Sequence, residues 1–518
     1  ACDADAGTIE FYKNGVSQGA LTHQIAGLFP SFGNGYAATN YKVNFGQMRF
    51  KHQMPTGYST LNTTAFPAAT IPDGSAHFQA NLWTGNGAAR SITTTGMSPD
   101  WIWIKNRGSG TYHHTLVDSV RGAGNRLMSN LTNVEDNGAG YGIVSAFNSD
   151  GFSLDGGGAA VNTSSNTYVG WTWNAGANSN KTYTVKVVSD SGNKYRFDDF
   201  GTSAVTLELA EGSTYIFDQS DSSNAGHPIR FGTSANGTDY TTGVTHTGTP
   251  GSAGAKTTLV LGTGVATLYY SCANHSGMGG QINTNSTAGA SNFDGTIQTT
   301  VKANPEAGFS IATYSGSGTS GDTLGHGLNA EPEFAIVKAR NKTDDWRVYH
   351  KAVGTGHYLR VNGNHTKTTS NNWQSPSSTT LGLDNDSAVN SSSYTYLALF
   401  FAPVAGYSAF GSYEGNGSSD GPFVYLGFKP ALVILKLTEG VASNWKIYDS
   451  TRDSDNPIEK QLYPSLSNAE PSDDARCDFL SNGFKVRTAG SEDNYNNNTF
   501  IYIAFAENPF QANGGLAR

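Results

Sequence analysis

The chain reads as all-β, a string of β-sandwich domains, on three observations. Its 518 residues include 63 glycines, 25 tyrosines and 26 phenylalanines but only 14% charged residues, the mix expected of short strands joined by many polar turns. A strand pattern of Pro, an apolar run and Lys returns three times, and such repetition marks repeated structural units. Asn-Gly and Asp-Gly pairs lie between aromatic-bearing segments, as hairpin turns require. The length exceeds what one core holds, so several domains of ordinary size are expected.

Charge and hydropathy remove other classes. A net charge of −9 with 32 scattered Lys and Arg supplies no basic field for a phosphate backbone, so nucleic acid is not expected as a partner. No apolar run approaches a membrane span, and the greasiest stretch, 394–404, reads as a buried strand, so no membrane insertion is expected. Three cysteines, Cys2, Cys272 and Cys477, are too few and too irregular for a disulfide framework. Position 1 is Ala and no signal-peptide pattern follows, which suggests a processed chain or a piece of a longer one.

The first element, residues 1–60, opens with Gly7-Thr-Ile-Glu-Phe-Tyr-Lys-Asn-Gly-Val16, a strand, an Asn-Gly turn and a returning strand. Phe29-Pro30, Val43-Asn-Phe-Gly46 and Phe50 follow. The order of these motifs resembles the C-terminal part of a SPRY domain, and the resemblance implies an equal length of sheet before it.

Three further elements, 61–176, 304–405 and 406–518, share one grammar. Each opens with an aromatic and a Gly-x-Gly turn: Trp83 with Gly85 and Gly87, Tyr314 with Gly316 and Gly318, Tyr413 with Gly415 and Gly417. A Pro then leads an apolar strand to Lys, from Pro99 to Lys105, Pro332 to Lys338 and Pro430 to Lys436. Pro at a strand start loses no ladder bond. Trp346-Arg-Val-Tyr349 and Trp445-Lys-Ile-Tyr448 alternate as half-buried strands do, and Phe147-Asn-Ser-Asp-Gly-Phe152 and Phe479-Leu-Ser-Asn-Gly-Phe484 form matching hairpins. The copies close on Tyr168-Val-Gly-Trp, Tyr396-Leu-Ala-Leu and Tyr502-Ile-Ala-Phe. About a hundred residues per copy suits a sandwich. Only 403–407 separates the second copy from the third, so the units are expected to stack rigidly.

The remaining element, 177–303, combines a module over about 181–281 with a Gly, Ser, Thr and Asn-rich bridge. Its Tyr269-Tyr-Ser-Cys-Ala-Asn-His-Ser-Gly-Met278 segment sets a thiol, an imidazole and a thioether on one loop, and Asn224-Ala-Gly-His-Pro-Ile-Arg-Phe231 offers a second imidazole. Cys272, His227, His275 and Met278 are the ligand types of a blue-copper centre. The module resembles the cupredoxins, with a His-x-hydrophobic-x-Phe strand, a Cys-x-x-His loop and a short His-x-x-Met spacing like that of amicyanin. That family usually carries Asn after the first His, where this chain has Pro228, which leaves support of the ligand loop open. The alternative is a metal-free sandwich with Cys272 as a buried thiol.

Together these parts resemble the modular virion proteins of marine tailed bacteriophages, and the ending Ala504-Phe-Ala-Glu-Asn-Pro-Phe510 is similar to their tail-fibre and appendage proteins. The resemblance implies a non-enzymatic structural role in host attachment, in the virion and outside the cell. The implied partners are other copies of the chain, other virion proteins, and a host-surface glycan or protein. An extracellular copper electron-transfer protein and a glycan-degrading adhesin are the alternatives.

Catalytic patterns are weak. No His-Glu-x-x-His helix or Walker loop occurs, and the two matches to Gly-x-Ser-x-Gly, at 15–19 and 417–421, sit at hairpin and Gly-x-Gly turns rather than at a strand-to-helix elbow. His113-His114 and His350 read as solvated histidines, and Asp384-Asn-Asp386 with Asn390 as an Asx-rich turn rather than a calcium loop. Trp101, Trp103, Trp171, Trp173, Trp346 and Trp445 present rings of the kind that stack on sugars, but repeat-equivalent strand positions favour core.

Overall fold

The Pro-led apolar runs become the central strands of three sheets. In the computed structural model, which describes residues 2–3, 7–22, 50–52, 54–55, 58, 70–94, 96–177 and 180–506, nearly every element is a strand and the sheets form several β-sandwiches. In the first repeat Phe78–Thr84, Thr167–Trp173, Trp101–Asn106 and Thr115–Asp118 pair in that order, all antiparallel. The third repeat matches it with Ser408–Glu414, Thr499–Ala506, Pro430–Leu437 and Lys446–Asp449. The second has Phe309–Ser315, Thr395–Phe401, Phe334–Ala339 and Arg347–His350, extended at both edges. A smaller sheet covers one face of each, as in Ala89–Thr93, Gly151–Asp155 and Val144–Asn148.

The Gly-x-Gly turns have a specific cause. Asn162, Asn390 and Asn494, each fully buried, reach into them: Asn390 Oδ1 accepts from the Ser317 amide at 2.7 Å while its Nδ2 donates to the Thr319 carbonyl at 2.9 Å. Asn162 and Asn494 make the same two bonds to Asn86 and Ala88 and to Asn416 and Ser418. A Cβ on Gly85, Gly316 or Gly415 would collide with the carbonyl of Thr163, Ser391 or Tyr495, so the first glycine of each turn is a matter of space. Each opening aromatic stacks on the closing strand: Trp83 on Tyr168, Tyr314 on Tyr396, Tyr413 on Phe500. The third copy therefore aligns through Phe500, two residues before Tyr502. A two-residue slip keeps every side chain on its own face, so sequence alternation alone does not distinguish the registers.

The other faces of the three large sheets meet. Trp101, Trp173, Phe309, Phe334, Phe401, Phe410 and Phe505 belong to one buried cluster drawn from all three repeats, with Trp101 6.0 Å from Phe309 and Phe401 5.8 Å from Phe505 between ring centres. Each such aromatic contributes about 2–3 kcal/mol when buried, and parting the repeats would return many of them to water. All six tryptophans named above are core.

Polar contacts at the three junctions repeat in a cycle. Trp346 Nε1 donates to the Met128 carbonyl at 2.9 Å, and Trp445 Nε1 to the Arg360 carbonyl at 2.6 Å. In the first repeat His114 stands at this place, with Nε2 3.0 Å from the Tyr463 carbonyl. The amides of Glu135, Lys367 and Glu470 donate to the carbonyls of Arg340, Thr438 and Arg107 at 2.7, 2.8 and 2.9 Å. Side chains at or next to these places pair ionically: Arg340 with Glu135, Arg107 with Glu470, and, one residue beyond Thr438 and with the signs exchanged, Glu439 with Lys367. The second repeat thus contacts the first, the first the third, and the third the second, which closes a ring within one chain.

The Lys that ends each Pro-led strand is buried at the same junctions. Lys338 Nζ donates to the carbonyls of Ala339, Lys342 and, across the junction, Thr132 at 2.8, 3.2 and 3.2 Å. Lys436 does so to Leu437, Ser443 and, across its junction, Asn364, while Lys105 reaches Asn106 and Ser109. Burial lowers Lys105 and Lys338 to about 8 and Lys436 to about 7.

Two stretches differ from expectation. His114 and His350 are buried, not solvated, and burial lowers them to about 3 and about 4. The stretch read as a bridge contains strands Ala290–Asn292 and Thr299–Asn304, which extend the sheet of the second repeat through Phe309–Ser315. Their polar residues hid them, because only alternate positions face the core.

At the N-terminus, Thr8–Lys13 and Val16–Thr22 pair about Asn14 and Gly15, both at positive φ, as this tight turn needs. The motifs over 29–46 read as SPRY-like lie outside the described residues. No helix among the described residues is long and apolar enough to cross a membrane.

Candidate metal centre

The module between the first and second repeats is a mixed sandwich. One sheet runs Asn193–Phe197, Lys181–Ser189, Thr214–Asp218, Lys256–Val260, Val244–Thr247, and the other Leu207–Ala210, Gln281–Asn285, Leu268–Cys272, Ile229–Gly232. Tyr183, Phe197, Phe217, Phe231 and Tyr270 fill the space between them. Alternation along Leu268–Cys272 turns Leu268, Tyr270 and Cys272 inward, and Cys272 is the last residue of its strand. Its partner Ile229 follows the His227 loop directly, so the pairing of Ile229 with Cys272 sets the two ligand loops side by side.

Three of the four candidate ligands converge. Cys272 Sγ lies 3.7 Å from Nδ1 of His227 and 3.6 Å from Nδ1 of His275, and the imidazole centres are 4.6 Å apart. A metal about 2.0–2.3 Å from each donor at a near-tetrahedral angle sets sulfur and nitrogen about 3.6 Å apart, so the triangle fits an ion that accepts thiolate and imidazole. Cys272 and Met278 are buried in one cluster, His227 is partly buried and His275 is exposed. Desolvation and the neighbouring His275 lower the His227 pKa, which favours the neutral form that a ligand needs. Among the described residues no other trio of His, Cys, Asp and Glu gathers in this way.

The supports of these loops were not read from the sequence. Gln219, fully buried, brackets Pro228: its Nε2 donates to the His227 carbonyl at 2.8 Å and its Oε1 accepts from the Ile229 amide at 3.1 Å. The Tyr195 hydroxyl donates to the same His227 carbonyl at 2.9 Å, and the His227 amide donates to the Asn224 carbonyl at 2.8 Å. On the other loop the Asn274 amide points at Cys272 Sγ, 3.4 Å away, and its Nδ2 donates to the Gly226 carbonyl at 2.8 Å. The only hint in the sequence was Asn in the middle of Cys-Ala-Asn-His.

Other candidates resolve as structure. Asp386 Oδ1 accepts from the Ala388 amide at 2.8 Å as an Asx turn, and Asn390 is spent on its Gly-x-Gly clasp. Cys477 is buried, and its pKa is raised by burial and nearby carboxylates, an unreactive thiol.

No curated protein and no solved structure matches the chain. A family model described as a domain of unknown function, DUF7483, matches residues 73–214 and 282–509, well over half of the 518 residues. All four candidate ligands fall in the stretch that the match passes over. The three sandwich repeats, with the first strands of the module, place the chain in the DUF7483 family.

Proposed function

We propose that the protein is a non-enzymatic structural component of a tailed-bacteriophage virion, a tail fibre or surface appendage that serves host attachment and carries a copper-binding module. The observation that carries this reading is the ring: three sandwiches share one aromatic core and are tied at every junction by equivalent bonds. Such an arrangement resists shear and holds a receptor-facing surface at fixed geometry, as an attachment device outside the cell must. It works with other copies of itself, other virion proteins and a host-surface glycan or protein.

Copper acts here as a clip. Held by His227, Cys272 and His275 with Met278 as the weak fourth donor, it ties the two ligand loops of a small module together and adds binding energy to its folding. The exposure of His275 favours a second reading, electron transfer through the imidazole edge.

Antibodies against the protein should label intact particles of the phage that encodes it, and the purified protein should bind host cells without releasing sugars. Absence from the particle overturns the virion reading, and sugar release makes the protein a depolymerase. Anaerobic copper titration should give the intense thiolate-to-copper absorption, absent in Cys272→Ser. A wild type without that band removes copper and leaves the structural reading on the ring alone.

A further inference from the structure

We infer that Asn274 is a positioning residue for the metal triangle, a latch that holds the Cys272 and His227 loops together before any ion enters. The inference rests on the copper reading above.

Three bonds carry it. The Ala273 amide donates to the Pro228 carbonyl at 3.0 Å, the Asn274 amide approaches the sulfur, and Asn274 Nδ2 crosses to the Gly226 carbonyl. Two of the three join the loops directly, and the side-chain bond is the one that lies outside the sheet ladder. Pro228 has no amide to donate, so the loop that carries His227 depends on its neighbours: Gln219 from the buried side and Asn274 from the exposed side. Without Asn274 the His227 loop keeps its inner bracket but loses its only side-chain tie to the cysteine loop among those the structure shows at Gly226. The His227 nitrogen then drifts relative to the sulfur, and each metal-binding event must first close the triangle.

Asn274 is exposed and lies in a loop outside the strands, so Asn274→Ala should fold. Asn274→Asp keeps the shape but cannot donate to Gly226, and serves as the second variant. In copper-free protein, hydrogen exchange at the Ala273 amide should accelerate in both variants. With Cu(II) bound, a competing chelator should remove the ion about 10–100-fold faster than from the wild type, the range typical of lost ligand support. Exchange and removal rates equal to those of a blue wild type overturn the role of Asn274 and leave the metal centre standing. A wild type that binds no copper overturns the metal centre and the positioning role together, whatever the exchange rates show.

Discussion

His114 of the first repeat bonds to the Tyr463 carbonyl of the third at 3.0 Å while its Nδ1 accepts from Trp103 Nε1 at 2.8 Å. The two bonds fix the tautomer, with the proton on Nε2, and require a neutral ring. The equivalent positions in the other repeats carry Trp346 and Trp445, which do not titrate, so at this position only the first repeat makes its tether from a titratable ring.

Acid should therefore weaken the ring. His114 is lowered to about 3, and His326 and His350 to about 4, by burial. The unfolded chain takes up these protons near pH 6.5, so their contribution is complete above about 6.5 and declines as pH falls toward about 3–4. Lys105 and His113 add repulsion for a charged His114. The melting temperature should drop between pH 7 and 4.5, and His114→Gln, which can both accept and donate, should drop less. Equal losses would show that His114 does not carry the effect.

The strand-ending lysines extend the same rise of stability with pH into alkali. Their folded values of about 7 to about 8 lie below the unfolded value near 10.4, so the unfolded state holds more protons across that window and stability rises with pH. Above about 10 the buried tyrosines, raised by burial, reverse the trend. Stability against urea should peak near pH 9–10. Lys436→Met should lower it by about 2–4 kcal/mol by stranding the Leu437 and Ser443 carbonyls, and should flatten the rise; a rise of wild-type size in the variant would exclude Lys436 as its source.

Asn390→Ala should cost about 3 kcal/mol, because it leaves the Ser317 amide and the Thr319 carbonyl without their partner. The exposed Asn385 five residues earlier should tolerate Ala within about 0.5 kcal/mol. Urea denaturation of the two variants compares clasp with turn, and similar losses would remove the clasp as the reason for the Gly-x-Gly pattern.

The copper clip predicts that adding Cu(II) raises the melting temperature of the module in the wild type but not in Cys272→Ser. Copper-dependent stabilisation that survives in the variant would place the ion elsewhere.

What the sequence reveals here is whatever is local. The Pro-to-Lys strands, the hairpins and the Cys-x-x-His loop each lie within about ten residues, and period-two alternation gave their inward faces. The ring was not legible, because His114 meets Tyr463 across most of the chain and nothing near either residue marks the pair. Asn162, Asn390 and Asn494 looked like loop residues, since Asn in a polar segment has the same appearance whether its side chain faces water or a buried turn. Gln219 was hidden for the same reason. The candidate ligands could be named, but the support of Pro228 could not, because it comes from Gln219, just past the end of a strand in the other sheet, and from the opposite loop.

The exchanged signs at one junction have a consequence for recombination. Each repeat presents a charge at its strand end and another on its arm: Arg107 and Glu135, Arg340 and Lys367, Glu439 and Glu470. In the observed circular order every end meets an opposite arm. In the reversed order Arg107 would face Lys367 and Glu439 would face Glu135, so two of three seams would repel. The charges thus favour one handedness of the circle, and sandwiches rearranged by duplication and shuffling without re-cutting this charge key would lose this preference.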